Sequence, residues 1–142
     1  ASEFPEIPVH GFDTFSGIPE DWHLTKSGSY STHGALPPAP DNVHYHVGLF
    51  SEKLPDFLAA HLEQPIRLMN IDCDLYSSTK DVLDAVCDRV VPGTVIVFDE
   101  YVLNPHWKDD EYKAFQEAVD TYGWKYEYLG ISLVSQQAVV RI

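Results

Sequence analysis

Positive charge is scarce in this sequence: 9 Lys and Arg face 22 Asp and Glu, for a formal net charge of −13. That shortage argues against nucleic acid or an anionic membrane as partner, because neutralising phosphates requires Lys and Arg. It favours cations and neutral or cationic ligands, although most of the charge is expected to be a solvated surface. Cysteine is equally thin. Cys73 and Cys87 form no metal or redox spacing, and they read as reduced thiols of a cytoplasmic protein. No apolar run approaches the roughly 20 residues that span a bilayer. The opening shows no basic segment followed by an apolar stretch, so no secretory signal is visible. A P-loop, a nucleophile elbow, a glycine-rich dinucleotide motif and an internal repeat are all missing as well.

What is present points to a globular α/β chain. With 142 residues and 44% hydrophobic content, one domain over 1–142 with a real core is expected. Strand-like and helix-like segments alternate, which is the pattern of a mainly parallel sheet with helices on both faces. Ile7 to Phe12 reads as a short strand ending at Asp13. Residues 14–41 have little periodicity and many Gly, Ser and Pro, so a long loop is expected there. Asn42 to Gly48 alternates as a strand. A helix follows, with Leu54, Phe57, Leu58 and His61 on one face and Pro55 near its first turn. A strand over 66–72 leads to a helix with Ser78 as its N-cap and Val82, Leu83, Val86, Cys87 and Val90 as its apolar stripe. Another strand covers 94–98, and a helix covers 109–121 with Tyr112, Phe115 and Val119 inward. Two closing strands, Lys125–Leu129 and Gln137–Ile142, form a hairpin.

Two acidic clusters end strand-like runs: Asp72-Cys73-Asp74, and Asp99-Glu100. Carboxylates at the carboxyl ends of adjacent parallel strands share the crevice where open α/β sheets bind ligands. Facing carboxylates repel unless a cation or a proton is shared between them. The pattern suggests a hard divalent ion, Mg²⁺ or Ca²⁺, held by oxygens, with a spare carboxylate for base chemistry. The plainer alternative is that Asp74 caps the next turn and Asp72 is solvated at the edge. Asp13, ending an earlier strand, stands where nucleotide-binding α/β folds often place a ribose-binding acid. His44 and His46 alternate on one strand and can pair on one face. Tyr76, Tyr101 and Trp107 lie near the acids and can stack on a sugar or phenol, with core packing expected for at least one of them.

Three segments carry a family resemblance. Gly11 to Trp22 (GFDTFSGIPEDW) resembles the GFDSFxGLPEDW segment of the macrocin O-methyltransferase family. Asn70 to Thr79 resembles its IDxDLYxST segment. Pro92 to Tyr101 resembles its PGGxIxxDDY segment, and Gln137 to Ile142 also fits. The resemblance implies a Rossmann-like, class I methyltransferase that uses S-adenosylmethionine and Mg²⁺ to methylate hydroxyls on sugars of natural products. By it, Asp72, Asp99 and Glu100 hold the metal, Asp74 is the catalytic base, and Asp13 touches the cofactor's ribose. Glu100 stands where the family usually has a second Asp, which keeps the charge and adds a methylene.

One departure from the family is large. Its first strand and glycine-rich loop, which cradle the cofactor's methionine part, should precede the strand at 7–12, so the sheet is expected to be truncated at the first strand. Three outcomes follow: a fragment of a longer protein, direct pairing of the strands that flank the gap, or a homodimer completing the sheet. Two function classes are therefore carried forward. One is an O-methyltransferase, as fragment or minimal form, acting on a small-molecule hydroxyl acceptor. The other is an inactive methyltransferase-like module for binding or dimerisation. A metal-dependent hydrolase rests on the carboxylates alone.

Overall fold

The computed structural model describes residues 1–61 and 64–142. The chain divides into two compact units, Ala1–Asp56 and Phe57–Ile142. The first holds strands β1 (Val9–Asp13) and β2 (Val43–Val47), paired in parallel with Val9 beside Val43 and Asp13 beside Val47. Between them, 14–41 forms turns and bends with one isolated bridge, Trp22 to Thr25. Phe15 is the buried side chain of that loop, and its ring meets Tyr45 edge-on with centroids 5.5 Å apart. Gly17 is required by geometry. Its φ is +93°, and a Cβ there would lie 2.4 Å from the Ser29 carbonyl oxygen.

Helix α1 (Phe50–Ala60) begins early enough to put Pro55 inside it rather than near its first turn, and Leu54 is its buried residue. Pro55 contributes no N–H to the helix ladder, which weakens that turn.

The second unit is a four-stranded sheet in the order β3-β4-β6-β5. Strand β3 (Leu68–Ile71) pairs in parallel with β4 (Val95–Phe98), setting Ile71 beside Phe98. Strand β4 pairs antiparallel with β6 (Ala138–Arg141), and β6 pairs antiparallel with β5 (Glu127–Ile131). The alternation of β4 is clean: Ile96 and Phe98 are fully buried, while Val95 and Val97 are half-buried. Among the described residues strand β3 bonds only to β4 and leaves Leu68 exposed, as an edge strand does.

Helices α2 (Tyr76–Val86) and α3 (Glu111–Tyr122) pack against each other. Val82, Leu83 and Val86 of α2 are buried with Ala114, Phe115 and Ala118 of α3. The expected stripe of α2 runs past its end, because Cys87–Arg89 is a 3-10 turn. Ser78 does not cap α2. The helix starts at Tyr76 after an extended Leu75, which places Ser78 inside the first turn and buries it. The inward face of α3 is also rotated from expectation: Phe115 is inward, but Tyr112 and Val119 are only half-buried and Glu111 is fully buried. Gly123 ends α3 at φ +67° with its N–H on the Val119 carbonyl. Among the described residues no helix is long and apolar enough to cross a membrane.

Candidate active site

The pairing of Ile71 with Phe98 sets the two acidic clusters side by side at the carboxyl ends of β3 and β4. The Asp99 N–H continues the ladder by donating to the Ile71 carbonyl at 3.0 Å. Beyond Ile71 the chain leaves the sheet sharply. Asp74 has φ +60°, and the Leu75 N–H donates to the Cys73 carbonyl at 2.5 Å, so Asp74 sits at the centre of a positive-φ γ-turn. That turn is a rare, strained conformation for a non-glycine residue. Strain of this kind persists only where surrounding contacts hold it, and it clusters at functional sites.

The electrostatics of the crevice are one-sided. Burial pushes the Asp74 carboxyl up to about 6, and the negative charges of Asp72, Glu100, Asp99 and Asp110 push in the same direction. Glu100 is raised too, first by burial and then by Asp99, Asp72 and Asp110. Asp72, Asp74, Asp99 and Glu100 thus share one electrostatic neighbourhood. One oxygen of Asp99 accepts a short hydrogen bond from the Gln137 amide on the incoming β6 side.

The donor set is entirely oxygen, which suits a hard divalent ion. Cys73 does not alter that, since burial pushes its thiol far above the ordinary range and keeps it protonated. The excess negative charge also suits a cation. Among the described residues, however, no three His, Cys, Asp or Glu side chains converge into a metal-binding group. The acids fit an ion in chemistry and charge.

Glu111 is the residue that the sequence reading missed. Its side chain is fully buried at the start of α3. One carboxyl oxygen accepts from the Cys73 N–H at 3.3 Å, and the other accepts from the Glu100 N–H at 3.2 Å. Burial raises its pKa to about 8. The two N–H bonds oppose that rise, and the Asp74 and Asp72 charges add to it. A signal was available: the spacing Glu111, Ala114, Phe115, Ala118 places this one acid on an otherwise apolar helical face.

The aromatic residues divide. Tyr101 is a core residue, 1% exposed, with its hydroxyl 3.0 Å from that of Tyr128. Tyr76 donates to Glu117 at 2.7 Å and lies under the Lys113 ammonium, so it belongs to the α2–α3 contact. Trp107 meets Tyr112 edge-on with centroids 4.8 Å apart.

In the first unit, Asp13 is exposed at the end of β1. Its Oδ1 accepts from the Phe15 N–H, which closes a local turn. A cleft of about 410 Å³ follows it, lined by Thr14, Gly17, Ile18, Ser27, Gly48 and Glu52 among others. His44 and His46 do share a strand face, but the closest contact runs to another strand, with His10 Nδ1 3.1 Å from His46 Nε2. Parallel pairing sets His10 opposite His44 and so brings a third ring alongside.

Parallel strands ending in carboxylates, followed by an antiparallel hairpin, define the Rossmann-like class of fold in which O-methyltransferases are built. The solved calicheamicin methyltransferase CalS11 superposes with a TM-score of 0.77 at 24% identity, over 96% of this chain and 61% of that one. The O-methyltransferase NovP gives a TM-score of 0.66 at 20% identity, over 94% and 59%. Two curated proteins match in sequence. One is the 8-demethyl-8-(2,3-dimethoxy-alpha-L-rhamnosyl)-tetracenomycin-C 4'-O-methyltransferase of Streptomyces olivaceus, 29% identical over 86 residues, covering 61% of this chain and 28% of that protein. The other is the demethyldecarbamoylnovobiocin O-methyltransferase of Streptomyces niveus, 32% identical over 82 residues, covering 56% and 30%. The profile of the macrocin-O-methyltransferase (TylF) family matches residues 29–121. The chain belongs to that family. The matched range includes both acidic clusters, whereas the Gly11 to Trp22 segment precedes it. The chain spans less than a third of the length of the curated relatives it matches.

Proposed function

We propose that this chain carries the acid–base half of an S-adenosylmethionine-dependent O-methyltransferase that acts on a hydroxyl of a sugar or a related natural product. The observation that carries this reading is Asp74, held at a strained turn among like charges with its carboxyl raised to about 6. A base with that pKa is ionised at neutral pH and is a better proton acceptor than an ordinary aspartate. The curated relatives support the substrate class, since both are named as O-methyltransferases and one name includes a rhamnosyl group.

Each side chain has a distinct task in this reading. Asp74 would take the proton of the acceptor hydroxyl. S-adenosylmethionine, when bound, would supply the electrophilic sulfonium methyl and depart as a neutral thioether. Asp72, Asp99 and Glu100 would hold Mg²⁺ or Ca²⁺, whose chemistry there is to lower the pKa of a hydroxyl. Asp13 would accept a hydrogen bond from the ribose. A reduced, cytoplasmic setting and a homodimer that satisfies the single-sided strands β1 and β3 belong to the same reading.

Isothermal titration with S-adenosylmethionine and Mg²⁺ is the direct test, with light scattering for mass. Saturable binding of both is expected. No binding at millimolar cofactor, together with a stable dimer, would favour the inactive binding or dimerisation module instead.

A further inference from the structure

The loops that carry the acids leave two different strands, and among the described residues the last backbone bond of the β3–β4 ladder is that of the Asp99 N–H. Past that point one side chain reaches both. Glu111 Oε1 accepts from the Cys73 N–H at 3.3 Å, and Oε2 accepts from the Glu100 N–H at 3.2 Å. Cys73 is the residue whose carbonyl closes the γ-turn at Asp74. Glu100 follows Asp99, and its carbonyl accepts from the Asn104 amide at 3.1 Å. A carboxyl group fully buried under two strand ends is costly unless its oxygens are satisfied. Here each oxygen has a backbone donor from a different acidic cluster. Leu or Gln at this position would leave one or both donors without an acceptor.

We propose that Glu111 is the positioning residue of this site: its carboxyl group bridges the Cys73 and Glu100 backbones and so fixes the turn bearing Asp74 against the strand end bearing Asp99 and Glu100. The inference rests on the reading of those acids as the reactive centre. Glu111 touches no substrate in it and acts through the two loops. The two-point bridge explains how a strained Asp74 is maintained. It also explains why the first residue of α3 is an acid on a buried face. Outer groups that orient ligating side chains typically change metal affinity 10- to 100-fold when replaced.

Glu111→Gln is the informative variant. A carboxyl oxygen keeps a lone pair for an N–H, ionised or protonated, whereas an amide nitrogen has none. One loop is therefore released while volume is conserved. Mn²⁺ alone, added to the full chain and followed by the EPR signal of the free ion, reads the geometry of the acids without any turnover. Binding at least tenfold weaker in Glu111→Gln is expected. Asp109→Asn removes a charge from the exposed segment before α3 and leaves the bridge in place, and it should change affinity less than threefold. Equal binding by wild type and Glu111→Gln overturns the inference, as does an equal loss in Asp109→Asn, since charge alone would then account for the effect. If the wild type takes up no Mn²⁺ at millimolar concentration, the metal reading fails. The Cys73 and Glu100 amides then decide the bridge: hydrogen exchange of at least one should be tenfold faster in Glu111→Gln, and unchanged exchange at both overturns the proposal.

Discussion

Replacing Glu111 by Gln should remove the pH dependence that this one residue imposes on stability. The Glu111 carboxyl is raised from 4.5 to about 8 in the folded chain. A carboxyl with a raised folded pKa binds its proton more tightly when folded than when unfolded. Its stabilising share is complete below the unfolded value near 4.5 and is lost as pH climbs toward 8. Each pKa unit corresponds to about 1.4 kcal/mol. Between pH 5.5 and pH 8 the wild type should therefore lose roughly 3 kcal/mol relative to the permanently neutral Gln variant. Near pH 5.5 the wild type is expected to be the more stable of the two, because it keeps both backbone donors satisfied. Near pH 8 to 8.5 the order should narrow or reverse. Urea unfolding followed by tryptophan fluorescence at pH 5.5, 7 and 8.5 gives the difference directly, provided the m-value is shared. Comparing variants cancels the general repulsion expected of a chain with net charge −13. A difference that stays flat, or that grows in the wild type's favour with rising pH, refutes the reasoning, because the carboxylate would then be stabilised by its two N–H donors more than it is penalised by burial.

Other substitutions follow from the same geometry. Asp74→Asn should abolish methyl transfer by the family's full-length form while sparing Mg²⁺ binding, and wild-type activity should fall as pH drops through about 6. Retained activity in the variant refutes the base assignment. Asp99→Ala should remove Mg²⁺ binding by titration calorimetry and leave circular dichroism unchanged; unaltered affinity refutes its role as ligand. Phe115→Ala empties a fully buried aromatic site between α3 and the sheet and should cost about 3–5 kcal/mol in chemical unfolding. Gly123→Ala should cost about 1 kcal/mol, because φ is +67° with open space around the Cβ position, and a neutral result would refute the strain argument.

Several features were legible from residue order alone. The four apolar residues of β4 (Val95–Phe98) and the Pro92-Gly93 break before them located that strand. The Asp and Glu after Phe98 marked its carboxyl end, because an acid is not retained inside a buried strand without a partner. The stripe Val82, Leu83 and Val86 gave α2 its inward face. Boundaries were less legible. Ser78 has the chemistry of an N-cap, but a helix starts where tertiary packing first rewards it, and burying Leu75 moved that start forward. Pro55 was expected near the first turn of α1 and lies deeper, because the helix accommodates the missing N–H at a cost smaller than an early end.

The sequence by itself determined the chemistry that is available: four acids in two clusters, a base candidate two residues beyond a ligand candidate, and few cations to neutralise them. These are local facts, fixed by residue type and spacing. Only the tertiary structure decided which backbone groups meet. The positive-φ turn at Asp74, the bond from Gln137 to Asp99 and the Glu111 bridge all join residues far apart in the chain or depend on such joins. Hydrogen-bond partners of this kind are set by how α3 and β6 pack beneath the strand ends, and no periodicity along the chain encodes them.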